Sequence, residues 1–125
     1  MFNFSGKKPD NLGVKNGKLA ACPGTPNCVN SQSDGGKEKI DPLPNVSIAE
    51  IKGVVEGMER TTIVEESDNY LYAEFKSKLM GFVDDVEFYR DPAANVVQVR
   101  SASRLGQSDA GVNRKRVEEI RSKLK

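Results

Sequence analysis

The sequence contains no histidine, and its only cysteines are Cys22 and Cys28. Without histidine, a serine nucleophile would need a lysine or another base, and the chain carries no nucleophile-elbow motif to position one. A structural zinc ion normally takes four cysteine or histidine ligands, so the chain could supply only half a site. These absences count against histidine-based catalysis and a resident zinc ion. We therefore name no catalytic residue, metal or cofactor, and a non-enzymatic role is favoured.

Long apolar runs are also missing. No stretch approaches the eighteen or so apolar residues of a membrane-spanning helix. The first twenty residues lack the apolar run of a secretory signal peptide. We therefore expect a small soluble, cytoplasmic protein without a transmembrane segment. Phe2 and Phe4 lie near lysines, which leaves peripheral contact with a membrane open.

Net charge is only +1 over 125 residues, but it is unevenly distributed. Residues 1–30 hold four lysines against one aspartate, and residues 112–125 hold six basic side chains against two acidic ones. The middle, 31–111, holds nine basic side chains against fifteen acidic ones. Basic ends around an acidic body can orient a chain on a partner, although attraction between the ends and the body explains the same pattern. The basic run 113–116 has no aromatic neighbours, so nucleic-acid binding is not expected.

Residues 1–45 contain five of the six prolines and more than half of the eleven glycines. Their apolar residues follow no period, which predicts a long irregular arm. We expect this arm to pack on a body formed by residues 46–125, giving one domain, with the first ten or so residues loose. Four apolar side chains would hold the arm in place: Leu12, Val14, Leu19 and Val29.

The body begins with a helix, predicted over residues 47–59. Ser47 and Glu50 form a capping box, and apolar residues then recur at helical spacing. From Thr61 the period becomes two, which predicts a four-stranded antiparallel meander. The four predicted strands are 61–66, 70–78, 81–90 and 95–104.

A second helix is predicted at the C-terminus. Ser108 or Asp109 can cap it, and Val117, Ile120 and Leu124 form its apolar stripe. The predicted fold class is therefore α+β: an irregular N-terminal arm, a helix, four antiparallel strands and a C-terminal helix.

The register of the last hairpin follows from burial. If Phe88 faces Val99, the apolar side chains of both strands share one face, whereas a shift by one residue would expose them. In that register Glu87 lies opposite Arg100, and Asp85 lies diagonal to it.

The charged residues of this hairpin suggest several roles. Consecutive strand residues point to opposite faces, so Asp84 and Asp85 cannot act together on one substrate. Asp85, Glu87, Arg100 and Arg104 can form a cross-strand network that holds the register. Alternatively, the two guanidinium groups present their donors to an anionic ligand. A hard cation bound by Asp84 or Asp85 is the third reading.

The cysteine pair also has several readings. Five residues separate Cys22 from Cys28, and Pro23, Gly24 and Pro26 bend the loop between them. Such a loop can bring the two Cα atoms within the roughly 7 Å that a disulfide requires. A structural disulfide, two unpaired thiols, and a redox or metal-binding pair all stay open at this point.

Four segments carry a family resemblance: CPGTPNCVNSQ, GFVDDVEFYRD, VVQVRSASRLG and DAGVNRKRVEEIRSKL. In this order they resemble the family called domain of unknown function 1499, from Asn11 onward and most specifically over residues 81–124. That family occurs in bacteria, including cyanobacteria, and in plastids, and no activity is established for it. The resemblance implies one domain and places any site on the quoted segments, which include Asn113 and Arg114. It also suggests a thylakoid-associated partner.

Two functional hypotheses follow. The first is a non-enzymatic binding or interaction module, such as an accessory subunit that docks on a larger protein assembly. The second is a small anionic-ligand binder or enzyme that uses the sheet face around Arg100 and Arg104. We expect the arm to cover that face and Arg100 to be structural, whereas an Arg100 that is open to solvent and unpaired would indicate a ligand. The candidate ligand or partner-binding residues are Asp84, Asp85, Glu87, Arg100, Arg104, Asn113 and Arg114.

Overall fold

The computed structural model describes residues 6–78, 81–106 and 111–124. Within these ranges the chain forms one five-stranded antiparallel sheet and two helices, an α+β fold. The elements are β1 (Cys28–Asn30), α1 (Ile48–Glu56), β2 (Thr61–Glu66), β3 (Tyr70–Lys76), β4 (Val83–Asp91), β5 (Val96–Ser103) and α2 (Val112–Lys123). The strand order in the sheet is β1-β5-β4-β3-β2.

The predicted meander of four strands corresponds to β2 to β5, and the fifth strand, β1, comes from the arm. It pairs with β5, so that Cys28 lies opposite Ala102 and Asn30 lies opposite Arg100. The predicted meander is therefore confirmed, and the sheet has one strand more than predicted. A strand of three residues is too short to reveal a period of two, which is why the sequence pattern missed it.

The first predicted helix is confirmed but ends earlier than residue 59. The Ser47 hydroxyl accepts a hydrogen bond from the amide of Glu50, as the capping box requires. At the other end, the Thr61 hydroxyl donates to the carbonyl oxygens of Val55 and Met58 at 3.0 and 3.2 Å. Helix α1 therefore ends at Glu56 with Gly57 as its C-cap, and Thr61 ties the end of the helix to the start of β2.

The other predicted boundaries differ by a few residues. The strand predicted over 70–78 ends at Lys76. The second helix begins at Val112 after Gly111, whose φ of 81° suits glycine. The predicted caps Ser108 and Asp109 lie outside the described residues.

The predicted register of the last hairpin is confirmed. Phe88 pairs with Val99, and Glu87 pairs with Arg100. One face of the sheet therefore carries the apolar side chains, and the neighbouring residues on each strand turn to the other face.

The main core lies between that apolar face and the two helices. Val55 of α1 and Val117 and Ile120 of α2 are completely buried there. The strands contribute Leu71, Ala73, Phe75, Val86, Phe88, Val97 and Val99.

The arm covers the opposite face of the sheet. Leu19 is buried there against Tyr70 and Tyr72, and Leu12 and Val14 pack beside them. This second apolar layer is small, and it places the arm directly over the charged residues of β4 and β5.

After β1 the arm continues on the helix side of the sheet. Arg114 donates to the carbonyl oxygens of Lys37 and Lys39, each at 2.7 Å. Arg121 donates to those of Asp41 and Pro42. Helix α2 therefore fixes the second half of the arm through backbone carbonyls.

Neither α1 nor α2, the helices in the described ranges, is long and apolar enough to cross a membrane.

Candidate functional site: a charge cluster beneath the arm

Alternation along the strands brings polar side chains together on the face that the arm covers. On β3, Leu71 and Ala73 point into the core, so Tyr70 and Tyr72 point to the other face. We call the group on that face the arm-face cluster. It consists of Tyr70, Tyr72, Glu74, Asp85, Glu87, Arg100 and Arg104.

Arg104 is the well-paired cation of this cluster. Its Nε and Nη2 donate to the two carboxylate oxygens of Asp85, each at 2.9 Å. Nη2 also donates to Glu74 Oε2 at 2.8 Å. The hydroxyl of Tyr72 donates to Asp85 as well. This bidentate arrangement satisfies both charges and raises the pKa of Arg104, first through its hydrogen bonds to Asp85.

Glu87 is completely buried and accepts its hydrogen bonds on one oxygen. Its Oε2 accepts hydrogen bonds from the Tyr70 hydroxyl at 2.5 Å and from the Gly13 amide of the arm at 2.7 Å. Among the described residues, Oε1 has no hydrogen-bond partner. Burial raises the pKa of Glu87, although Tyr70, Gly13 and Arg100 oppose the shift.

Arg100 is covered as well, at 5% exposure, but it is loosely paired. The nearest carboxylate oxygen, Glu87 Oε1, lies 3.9 Å from Nη1. Nη2 lies 3.5 Å from the carbonyl oxygen of Ala21 in the arm. Its Nε finds no acceptor within the described part of the chain. Burial lowers the pKa of Arg100, which reflects how weakly its surroundings compensate the charge.

The arm covers Arg100, as expected, and Glu87 forms a long ion pair with it. Arg104 has the closer pairing, with Asp85 and Glu74. The structural role expected of Arg100 stays a prediction.

A cavity of about 280 Å³ lies between the arm and this face of the sheet. Arg100 lines it, together with the exposed Lys7 at the start of the arm. We call it the arm cavity. Its lining residues are Lys7, Pro9, Asn11, Ala21, Pro23, Asn27, Asp85, Arg100, Ala102, Ser103 and Arg104.

The seven candidate residues do not all meet at this cavity. Asp85, Glu87, Arg100 and Arg104 belong to the arm-face cluster. Asp84 points the other way, and its Oδ2 lies 2.7 Å from Nη2 of Arg116 in α2.

The other two candidates lie on α2. Asn113 is completely buried, and its side chain links the helix to β5 and to the loop before β1. Arg114 holds the arm through the two carbonyls described above. Both therefore have structural contacts, and neither of them lines the arm cavity.

Sequence reasoning missed Tyr70, Tyr72 and Lys7 as members of this region. The tyrosines could have been found, because they alternate with Leu71 and Ala73, which the same pattern assigns to the core. Lys7 could not, because the path of an irregular arm has no periodic signal.

The two cysteines form a disulfide, which resolves the readings left open by their spacing. Their Cα atoms are 5.7 Å apart, within the range that such a bond requires. Cys28 is buried in β1, and Cys22 is partly exposed. The loop that they close borders the arm cavity at Pro23 and Asn27.

The model of one protein family matches residues 18–124, nearly the whole chain, and its description reads "Protein of unknown function (DUF1499)". The match includes β1, both helices and all of the arm-face cluster. Comparisons with curated proteins and with solved structures found no match.

Proposed function

The chain belongs to the DUF1499 family, and from that premise we propose that it binds a small anionic molecule through Arg100 in the arm cavity. The observation that carries the proposal is a buried guanidinium, 5% exposed, whose nearest carboxylate oxygen is 3.9 Å away. Removing a charge from water costs free energy unless hydrogen bonds and counter-charges replace the water. An anion in the cavity would supply both.

The contrast with Arg104 supports this assignment. Both guanidinium groups lie on the same face beneath the same arm, yet Arg104 has two hydrogen bonds to Asp85 and a third to Glu74. Pairing for stability is therefore achievable at this position in the fold. Arg100 lacks comparable pairing while it lines a cavity, which is the arrangement of a residue that is completed by a ligand.

The ligand class follows from the donors and the volume. A planar guanidinium fork matches a carboxylate or a phosphate. The exposed Lys7 adds a second positive charge at the cavity. At about 280 Å³, the cavity is at the small end of ligand sites, so we propose inorganic phosphate, sulfate or a short carboxylate.

Thermal unfolding with phosphate, sulfate, acetate and succinate, each against chloride at equal ionic strength, tests this proposal. We expect at least one anion to raise the midpoint saturably in the wild type. Arg100→Met should lower the affinity for that anion about 10- to 100-fold, which is the usual contribution of a charge-assisted hydrogen bond. Arg90→Met is the matched control, because Arg90 bonds to Asn45 outside the cavity. Binding by none of the anions, or equal binding by the Met variant of Arg100, would contradict the proposal.

Docking of a protein partner is the second candidate function, and a different surface favours it. Phe82, Leu105 and Val112 are 39 to 45% exposed and line one cavity of about 230 Å³. Basic residues of an adjoining cleft, including Lys115 and Lys123, suit an acidic segment with apolar side chains. A thylakoid-associated assembly remains a prediction of the family resemblance.

A substitution at Val112 tests this second candidate. Val112→Asp places a charge in the apolar cavity and should therefore block docking. The variant should still fold, because an acidic residue at the start of α2 interacts favourably with the helix dipole. Val64→Asp is the control, because Val64 is similarly exposed on β2. A specific partner should be recovered from native extract by the wild type and the Val64 variant but not by the Val112 variant. Equal recovery by all three chains would exclude this surface.

A further inference from the structure

One wall of the arm cavity is built by Ala21 and by residues of the adjoining disulfide loop. Ala21 precedes Cys22, and Pro23 lies within the loop that Cys28 closes. Ala21 and Pro23 both line the cavity, and the Ala21 carbonyl oxygen lies 3.5 Å from Arg100 Nη2. We propose that the Cys22–Cys28 disulfide is a redox control of the anion site, so that the oxidised protein binds the anion more tightly than the reduced one. This inference rests on the anion-binding function proposed above.

The two ends of the loop are held very differently. At the Cys28 end, the chain is part of the sheet: Cys28 pairs with Ala102, and the Ser103 amide donates to the Asn27 carbonyl at 2.9 Å. The Asn27 side chain also donates to the Gly106 carbonyl at 2.7 Å. These contacts do not involve the sulfur atoms, so β1 should stay in place when the disulfide is reduced.

At the other end, the disulfide is the main attachment. Within the described ranges, residues 22–24 make no hydrogen bond to the rest of the protein. Gly24 has a φ of 96° and open space around it, which adds no packing that would hold the loop. The next firm contact before the loop is the Ala20 carbonyl, which accepts from Asn30 at 2.8 Å. Reduction therefore releases the segment from Ala21 onward, which is the segment that faces Arg100.

The chemistry is an exchange with a dithiol. A thiolate of the dithiol attacks Sγ of the partly exposed Cys22, and the sulfur of Cys28 leaves and takes up a proton. The second thiol of the reductant then displaces Cys22 from the mixed disulfide. Two electrons and two protons pass to the cysteines, and the dithiol becomes a disulfide.

Releasing residues 21–24 should lower the affinity for the anion, because binding must then order these residues. In the oxidised protein the wall is already fixed, so the anion binds a preformed cavity. In the reduced protein, binding must also order residues 21–24, and that cost appears as a weaker affinity. The segment stays tethered at Ala20 and Asn27, so reduction frees it only in part. We expect the dissociation constant to rise about tenfold on reduction, which is the cost of ordering about one residue.

Titration of the full chain with inorganic phosphate and with succinate, before and after dithiothreitol, tests the inference. The oxidised wild type should bind about tenfold more tightly than the reduced wild type. A double variant, Cys22→Ser with Cys28→Ser, should bind the anion with the affinity of the reduced protein. Dithiothreitol should not change that affinity. Equal affinity in the two redox states would overturn the redox control and leave anion binding intact. No binding in either state would instead overturn the proposed function.

A second experiment measures the accessibility of Arg100 behind this wall in the absence of any ligand. Phenylglyoxal modifies accessible guanidinium groups, and mass spectrometry locates the modified residue. Arg100 should react slowly in the oxidised protein and faster after dithiothreitol, while Arg90 should react equally in both. Unchanged reactivity of Arg100 on reduction would show that the wall does not move, which overturns the inference. Because both measurements compare redox states of the wild type, they hold even if the serine variant folds poorly.

Discussion

At the scale of single residues, burial alone does not reveal what an arginine does. Arg100 and Arg104 are both covered by the arm, and both lie near carboxylates. The distances separate them: Arg104 bonds to Asp85 at 2.9 Å, whereas Arg100 stands 3.9 Å from Glu87. The first geometry satisfies the charges, and the second leaves much of their desolvation cost uncompensated. The two side chains therefore have opposite expected effects on stability.

Arg104→Ala should destabilise the protein by about 3–5 kcal/mol, because it leaves the buried carboxylate of Asp85 without its cation. Urea unfolding measures the change. Lys52→Ala, which breaks the surface pair with Glu66, is the control and should cost less than about 1 kcal/mol. A loss as small as that of the control would show that the bidentate pair is not structural.

Glu87 gives the arm-face cluster a pH dependence of defined sign. Its pKa in the folded protein is raised above the ordinary value of 4.5, so the folded state binds this proton more tightly than the unfolded state does. The stability from this group is fully present below about pH 4.5 and is lost as the pH rises through the raised pKa. Glu87→Gln keeps an oxygen for the amide of Gly13 but removes the titration.

We therefore expect the wild type to lose stability relative to Glu87→Gln as the pH rises from 4 toward neutrality. Urea unfolding of both proteins over that range measures the difference. Glu65→Gln, an exposed site on β2, controls for the loss of one negative charge. If the stabilities of wild type and Glu87→Gln ran parallel with pH, or if the wild type gained stability relative to the variant, the raised pKa of Glu87 would be refuted.

At the scale of elements, periodic segments could be predicted and irregular ones could not. Apolar spacing predicted a helix over 47–59, which the structure places at 48–56, and it predicted the meander. It also predicted the register of Phe88 against Val99, since a wrong register would expose the core face. The strand Cys28–Asn30 has no period to read. The arm cavity likewise depends on the path of residues 6–27, which tertiary contacts decide. The sequence therefore predicted that the arm covers Arg100, but it could not predict the cavity between them.

Asn113 shows how one polar side chain can join three elements. Its Oδ1 accepts from the Ser101 hydroxyl at 2.6 Å, and its Nδ2 donates to the Asn27 carbonyl at 3.1 Å and to Ser103 Oγ at 3.0 Å. The side chain is completely buried, so removing it leaves several polar groups without partners in a place where water cannot replace them.

Asn113→Ala should therefore cost about 2–4 kcal/mol in urea unfolding, since several buried hydrogen bonds are lost together. Lys115→Ala on the exposed side of the same helix is the control and should leave the midpoint within about 0.5 kcal/mol of the wild type. A neutral Asn113→Ala would mean that the attachment of α2 to β5 is carried by apolar packing alone.

At the scale of the whole molecule, the fold consists of one sheet with two different coverings. The helices cover one face with an apolar core that accounts for stability. The arm covers the other face with a thin apolar layer, and beneath it lie a satisfied ion pair, a loosely paired guanidinium and a cavity. The central claim is that Arg100 is retained for a ligand and not for stability.

Urea unfolding of the double variant Arg100→Met/Glu87→Gln, with and without phosphate at constant ionic strength, tests this claim most directly. Replacing a buried charge pair by uncharged groups of similar volume is often neutral or stabilising. We predict a midpoint without phosphate at or above that of the wild type. Phosphate should raise the midpoint of the wild type and leave that of the variant unchanged. A variant that is several kcal/mol less stable, and that phosphate stabilises as much as the wild type, would contradict the account.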